Sequence, residues 1–271
     1  NATNIYALDL LLLPIDILSI DEIYQVKVTI IAYLSVLWQH PGLSWEPADY
    51  DGIQAVHVDA ESLWKPQIVI TVSASESLTL TFPGELRISS SGQVASSKYY
   101  QLSFRCEIDF YKYPFDTQTC FLGFYPWQEK QLAYMESIPA PQIPKKLYAI
   151  NGEWRLLNMT VEMVEDQNLV FISKFPRYSF TMQRESTYYV VTIIFPMVLT
   201  SAMIPLVFLI PPRTGEKISY LVAIFTSTAI FLNFICDVMP RGLSGVPVLA
   251  ILLVEVMAEG FMATLAALVV V

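Results

Sequence analysis

The chain is patterned in two ways. Up to about residue 185 it is a series of short runs rich in β-branched and aromatic residues, at 26–38, 54–58, 67–72, 77–82, 99–104, 120–125, 154–163 and 170–180. Turn residues separate them: His40-Pro41-Gly42, Pro83-Gly84, Ser89-Ser90-Ser91-Gly92 and Asn151-Gly152. Many short strands punctuated in this way predict an antiparallel, immunoglobulin-like β-sandwich. Residues 5–20 are apolar but broken by Asp9, Pro14 and Asp16, and read as an extended segment or strand. Beyond this half the pattern changes to long uncharged runs, which divides the chain into a β domain at 1–187 and a helical domain at 188–271.

Three stretches of the second half are long enough to cross a bilayer as helices. The first, 188–210, is free of charge and interrupted by Pro196 and Pro205, as neighbouring helices allow. The second is uncharged from 218 to 236 but has a polar side. At helical spacing Glu216, Ser219, Ala223, Thr226, Ile230, Asn233 and Asp237 fall on one face. That face is small or hydroxylated in the middle and carboxylated at both ends. At membrane depth such a stripe must meet water or protein. Several copies around an axis would make it a water path with acidic rings that favour cations. The other reading is a helix packed within a bundle through small residues and hydroxyls. If it lines a pore, an apolar constriction is expected toward the outer end, at Ile230 with Phe234, because a ring of Thr226 hydroxyls is wetter. The third stretch, 247–271, carries Glu255 and Glu259 four apart on one face. These carboxylates are read as facing a water-filled gap between subunits, or as protonated.

Charge and chemistry narrow the picture. A net charge of −9 argues against nucleic acid as a partner. Arg213 and Lys217 flank the turn between the first two stretches, which predicts a cytoplasmic turn and leaves the β domain outside. Two glycosylation sequons agree, at Asn1-Ala2-Thr3 and Asn158-Met159-Thr160. No signal peptide is visible, as in an exported chain whose signal has been removed or omitted. The two histidines, His40 and His57, have no clustered carboxylate or cysteine beside them in the sequence, and no nucleophile or phosphate-loop motif stands out. An enzyme, a metal centre and a cofactor are therefore not expected. Cys236 reads as a packed thiol, whereas Cys106 and Cys120, in an exported β domain, are expected to pair. Between them Tyr113-Pro114-Phe115-Asp116 places a rigid, aromatic-flanked proline at a loop tip that needs something to dock on.

Two cysteines with thirteen residues between them, around an aromatic-Pro-Phe-Asp core, resemble the signature of the Cys-loop receptors, the pentameric ligand-gated ion channels. The resemblance runs from about Asp21 to the end of the chain. Trp38, Leu43, Trp45, Tyr50 and Gly52 match a spaced family motif, as do Trp64-Lys65-Pro66 and Gly92. Arg184, Tyr189 and Pro196 match the first membrane helix, and Gly215-Glu216-Lys217-Ile218-Ser219 the cytoplasmic start of the pore helix in cation-selective members. The chain departs from the family at His40, Gln67 and Thr226, and lacks the adjacent cysteine pair of acetylcholine-binding subunits.

The resemblance implies a plasma-membrane, multi-pass subunit with its N-terminal domain outside. It implies pentamers of identical or homologous subunits, opened by a small-molecule agonist and conducting monovalent cations. The agonist box would draw on Trp127, on Tyr33 from the complementary face, on Phe171 and Phe175, and on Thr71 where an aromatic is usual. Aromatic faces attract organic cations, so the loss at Thr71 argues against a quaternary amine. The tip at Pro114, Phe115 and Asp116, with Arg184, would couple binding to the membrane turn at 241–247. A fourth membrane helix is implied and none follows Val271, so the sequence is expected to be incomplete. An anion-selective member, with Pro-Ala where Gly215-Glu216 stands, and a non-gating accessory subunit are the alternatives.

Overall fold

The computed structural model describes residues 6–21, 27–71, 79–126, 133–137, 152–166, 173–211, 216–238 and 246–270. Ten strands come first: β1 (Tyr6–Asp21), β2 (Lys27–Gln39), β3 (Ala55–Asp59), β4 (Ile68–Ile70), β5 (Glu85–Ser89), β6 (Gln93–Arg105), β7 (Thr117–Pro126), β8 (Ala133–Ser137), β9 (Trp154–Asp166) and β10 (Ser173–Arg184). One sheet has the order β3-β5-β6-β2-β1-β8 and the other β4-β7-β10-β9. The helices α1 (Thr187–Leu209), α2 (Glu216–Val238) and α3 (Val248–Val270) follow. The β-sandwich followed by helices is as the sequence predicts, with one correction. The pair β1–β8 is parallel, so the sandwich is not wholly antiparallel.

Period-two burial builds the sandwich core. Leu8, Leu10 and Leu12 of β1 and Val28, Ile30, Ala32, Leu34, Val36 and Trp38 of β2 all face inward. They meet Phe124, Tyr178 and Phe180 of the opposing sheet. Of the apolar run at 5–20, ambiguous in sequence, the described residues from Tyr6 on belong to strand β1, where a register shift follows Pro14. A proline cannot donate to a neighbour on an interior strand, and a bulge is where a sheet tolerates one. Of the run at 77–82, the described residues from Thr79 on contribute an isolated bridge between Val69 and Thr79. Strands β5 and β8 are additional to the sequence expectation.

The spaced motif around Trp38 proves to be one packed corner. Trp38 meets Trp64 and Phe82 edge-on at 6.5 and 5.9 Å, and the Trp45 indole donates to the Ile53 carbonyl at 2.8 Å. His40 substitutes for an acidic cap, its Nδ1 accepting from the Gly42 amide. The corner closes on the β5–β6 turn, where the His40 amide donates to Gly92 O at 2.9 Å.

The winding of α1 changes where prolines fall. A wide turn at Val190–Ile194 immediately precedes Pro196, and a tightened one at Ile204–Leu209 contains Pro205. The Tyr220 hydroxyl of α2 donates to the Met203 carbonyl at 2.9 Å. Among the described residues two helices are long and apolar enough to span a membrane, Thr187–Leu209 and the Val248–Ala267 part of α3.

Gly92 has φ +81°, and a Cβ there would lie 2.9 Å from the His40 carbonyl oxygen. Gly92→Ala is expected to destabilise the chain by about 1–3 kcal/mol. Gly84→Ala, which meets nothing within 4 Å, is the control. Thermal melts of the detergent-solubilised chain should show a lowered Tm for the first and not the second.

Candidate functional site

Three groups of side chains separate in space: a junction between sheet and helices, an exposed face of α2, and aromatic clusters on the two sheets. The junction is built around Arg184, the last residue of β10. Its side chain is 1 % exposed, and it grips Asp116 with two hydrogen bonds, Nε to Oδ1 at 2.8 Å and an η-nitrogen to Oδ2 at 3.2 Å. The other η-nitrogen reaches Glu153 at 3.4 Å. The guanidinium lies over Trp154, Tyr113 and Tyr189 at 4.3, 4.8 and 5.6 Å from their ring centroids. Such stacking suits a planar, weakly hydrated cation.

Asp116 is equally well supplied. Gln118 donates to its Oδ2 at 2.6 Å and also to the Asp109 carbonyl, while the Asp109 amide donates back to Gln118 Oε1. The loop that carries Asp116 is closed by the Cys106–Cys120 disulfide, with Cα atoms 5.2 Å apart. At the loop tip Pro114 is buried, Phe115 is exposed and the Tyr113–Pro114 bond is cis.

Four elements therefore meet at one point: the disulfide loop, the start of β9, the end of β10 and the first turn of α1. The Tyr189 hydroxyl donates to Glu153 at 2.5 Å, and its ring packs edge-on against Tyr113 at 5.3 Å. A fifth element joins them, since the Val248 amide at the head of α3 donates to the Tyr111 carbonyl at 3.0 Å. The expected contact of the loop with the turn at 241–247 falls mostly outside the described residues. The contact that is seen lies one residue further on, at Val248.

On α2 the burial is one-sided. Lys217, Leu221, Ile224, Thr228 and Ile235 are buried against the other helices. Glu216, Ser219, Ala223, Thr226, Ile230 and Asn233 are all exposed, with Ile230 at 64 %. At 100° per residue these sets lie on opposite sides of the helix. The Thr226 hydroxyl donates to the Val222 carbonyl of its own helix at 2.8 Å. Phe234 and Asp237 continue the helix, but their side chains lie outside what is described. On α3 Glu255 and Glu259 are exposed, and Glu259 accepts from the Ser201 hydroxyl of α1 at 3.0 Å.

Of the predicted agonist residues, Trp127 and Phe171 lie outside the described residues, as does the sequon residue Asn1. Thr71 and Phe175 come together around Gly123. The Thr71 hydroxyl accepts from the Gly123 amide at 2.8 Å and donates to its carbonyl at 3.2 Å. Phe175 is buried and packs edge-on against Tyr125 at 5.7 Å. Tyr33 sits apart on the six-stranded sheet, directly opposite Tyr99 and 5.3 Å from it in a T-shaped pair. Next to Tyr99, Tyr100 donates to the Thr81 carbonyl at 2.6 Å, and burial pushes its phenol up to about 12.

Sequence reasoning missed Glu153, Trp154, Gln118, Tyr99 and Tyr125. Strand register supplies the missing link, since Arg184 pairs with Trp154 and Tyr33 with Tyr99. Parity along β6 alone could have placed Tyr99 outward, but not opposite Tyr33.

The chain matches the family described as the neurotransmitter-gated ion-channel ligand binding domain over residues 10–186, well over half its length. It is 28% identical over 250 residues to the 5-hydroxytryptamine receptor 3A of Cavia porcellus, covering 89% of this chain and 50% of that protein. It is 31% identical over 237 residues to the acetylcholine receptor subunit alpha-type acr-16 of Caenorhabditis briggsae, covering 87% and 47%. To the human neuronal acetylcholine receptor subunit beta-3 it is 28% identical over 241 residues, covering 89% and 52%. The chain thus spans about half the length of these curated relatives. They are receptors, not enzymes, in keeping with the absence of a catalytic motif in the sequence.

Removing the charge of Asp116 leaves the Arg184 guanidinium buried against a neutral partner. Breaking a buried pair from one side costs about 3–5 kcal/mol. Asp116→Asn is expected to lower the Tm of the solubilised chain well beyond the effect of removing an exposed pair, for which Lys174→Gln at the Lys174–Glu165 pair serves as control. Equal shifts would show that the buried pair has no special weight.

Proposed function

The chain belongs to the neurotransmitter-gated ion channels, the Cys-loop receptors, and we propose that it is a cation-selective subunit working as a pentamer in the plasma membrane. The β-sandwich faces the outside, α2 lines the conduction path, and a small-molecule agonist bound between neighbouring sandwiches opens it. One observation carries this reading: the polar row on α2 is exposed while the opposite row packs on α1 and α3. A helix that only packed within its own bundle would bury its small and hydroxylated face. Here that face is turned outward, toward where an axis shared with other copies would run.

Cation selectivity rests on Glu216, exposed at the cytoplasmic end of the row. A ring of carboxylates between low-dielectric walls concentrates cations and repels anions. Lys217, adjacent in sequence, is buried on the other side of the helix and withdrawn from that ring. Asp237 acts in the same sense at the outer mouth, where salt screens it within roughly 8–10 Å.

The agonist site needs two copies of the chain. Tyr33 and Tyr99 lie on the six-stranded sheet, whereas Thr71, Phe175 and Tyr125 lie around the four-stranded one, so the two sets meet across an interface between subunits. The relatives are named for 5-hydroxytryptamine and acetylcholine, both organic cations, and aromatic rings suit such ligands. Opening is transmitted through the junction, where Pro114, Phe115, Asp116 and Arg184 connect the loop and β10 to α1 and α3.

Selectivity is tested by reversal potentials in a sodium chloride gradient. Glu216→Ala is expected to weaken cation selectivity or conductance more than neutralising Asp237 does. An active Glu216→Ala channel with both properties unchanged would refute the role given to Glu216. Native mass measurement showing only monomers or dimers would refute the assembly.

The gate gives a second test. Thr226 holds its hydroxyl proton on its own helix but leaves oxygen lone pairs facing outward, so its ring stays wet. The apolar ring at Ile230 is where the path should dewet. Ile230→Ser is expected to raise the resting current far more than Thr226→Ser, with an equal or reversed order counting against a gate at Ile230.

A further inference from the structure

The long free edge of the four-stranded sheet carries a modification sequon at its most exposed stretch. Strand β9 ends the order β4-β7-β10-β9, and it runs for 13 residues paired only to β10 among the described residues. A long edge strand is a template for pairing with another chain. Three large apolar residues on it are open to solvent: Leu157 at 43 %, Val161 at 40 % and Met163 at 44 %. The strand's carboxylates give it little net repulsion, since Glu162 is paired with Arg177 and Glu165 with Lys174 across the strands. The register shift beside Leu157 twists only the first few residues, and from Asn158 to Asp166 the pairing with β10 is regular.

Asn158-Met159-Thr160 lies in the middle of this edge. Asn158 and Thr160 are both exposed and, two apart on a strand, share the sheet's outer face opposite Thr181 and Ser179. Met159, between them, is half-buried on the other face. A sugar chain on Asn158 would therefore displace no packed side chain. The disulfide at Cys106 and Cys120 belongs to the oxidising compartments in which such chains are added.

We propose that Asn158 bears an N-linked glycan and that this glycan shields the backbone edge of β9 from pairing with other chains. The donor is a lipid-pyrophosphate-linked oligosaccharide. The Asn158 amide nitrogen bonds to the anomeric carbon, the bond from that carbon to the pyrophosphate oxygen breaks, and the nitrogen gives up a proton as the lipid pyrophosphate leaves. Thr160 supplies the hydroxyl of the acceptor sequon. The inference rests on the reading that the chain is exported through a secretory pathway.

The full chain is expressed in eukaryotic secretory cells with Asn1→Gln, which leaves Asn158-Met159-Thr160 as the single sequon. One mobility step removable by endoglycosidase is expected, and it should persist in Thr160→Ser, which keeps the sequon. The step should be lost in Asn158→Gln, and the aggregated fraction on size exclusion should rise. Asn158→Gln with Asn1 intact reports export separately, through glycan at Asn1. Membrane-inserted chain with its disulfide formed but without a glycan on Asn158 overturns the modification. A glycan whose loss leaves aggregation unchanged overturns the shielding. Currents from unglycosylated chain would count against this inference alone, whereas a glycosylated, assembled chain that never conducts would count against the channel reading alone.

Discussion

A guanidinium kept from water where the sheets meet the helices is the constraint around which the molecule is arranged. Removing an arginine from solvent is costly unless every face of it is answered. The loop answers with the Asp116 carboxylate, β9 with Glu153 and Trp154, and α1 with Tyr189. Each partner comes from a different element, so the relative positions of these elements are set by one charge. Hydrophobic packing alone would be more permissive, since apolar surfaces slide without losing a directed bond. The disulfide has a supporting role, because it fixes both ends of the loop that must deliver Asp116 to Arg184.

The helices solve a different problem. In a bilayer each backbone group must find an internal partner, which leaves little freedom except in side-chain direction. In α1 the freedom is spent on two prolines, with a widened turn before one and a tightened turn at the other. In α2 it is spent on polarity. The helix packs Lys217, Leu221, Ile224, Thr228 and Ile235 against its neighbours and leaves its hydroxylated row outward beside the exposed Ile218, Val222 and Phe225. In α3 the Glu259 carboxyl accepts from the Ser201 hydroxyl, so this polar group finds its donor on a neighbouring helix.

Much of this was legible in the residues. Alternating burial in β2, the hydroxylated row of α2 and the cysteine pair are periodic or spaced signals that local chemistry enforces. The limits of legibility are equally physical. Strand β1 was ambiguous because a proline inside an apolar run is allowed only where the register shifts, and a register shift depends on the partner strand. The parallel pairing of β8 with β1 depends on a long connection whose course no local pattern records. Asp116 and Arg184 were recognisable as a charged contact, but Glu153 was not. It stands after a turn like many exposed acids, and only the pairing of β9 with β10 carries it to the arginine. Likewise Tyr33 could be named from its distance to Trp38, whereas its partner Tyr99 follows from the β2–β6 register.

The interlock of Thr71 with Gly123 bears on how this part of the four-stranded sheet can change over evolutionary time. The threonine oxygen occupies the space in which a Cβ on Gly123 would sit, 2.6 Å from it, with the Phe175 ring next at 3.2 Å. Each residue is thus the reason for the other. An aromatic side chain introduced at position 71 would lose the hydroxyl's two bonds to the Gly123 backbone, keeping only the Thr71 amide bond to the Gly123 carbonyl, and leave a bare glycine in a strand, where it weakens the sheet. A side chain introduced at 123 would evict the threonine and press on the phenylalanine. The two positions are epistatic: single steps are penalised from either direction, and a route to a more aromatic pocket runs through paired substitution. A lineage that has acquired this pair is held to it by sheet stability, independently of any selection on what the surface does.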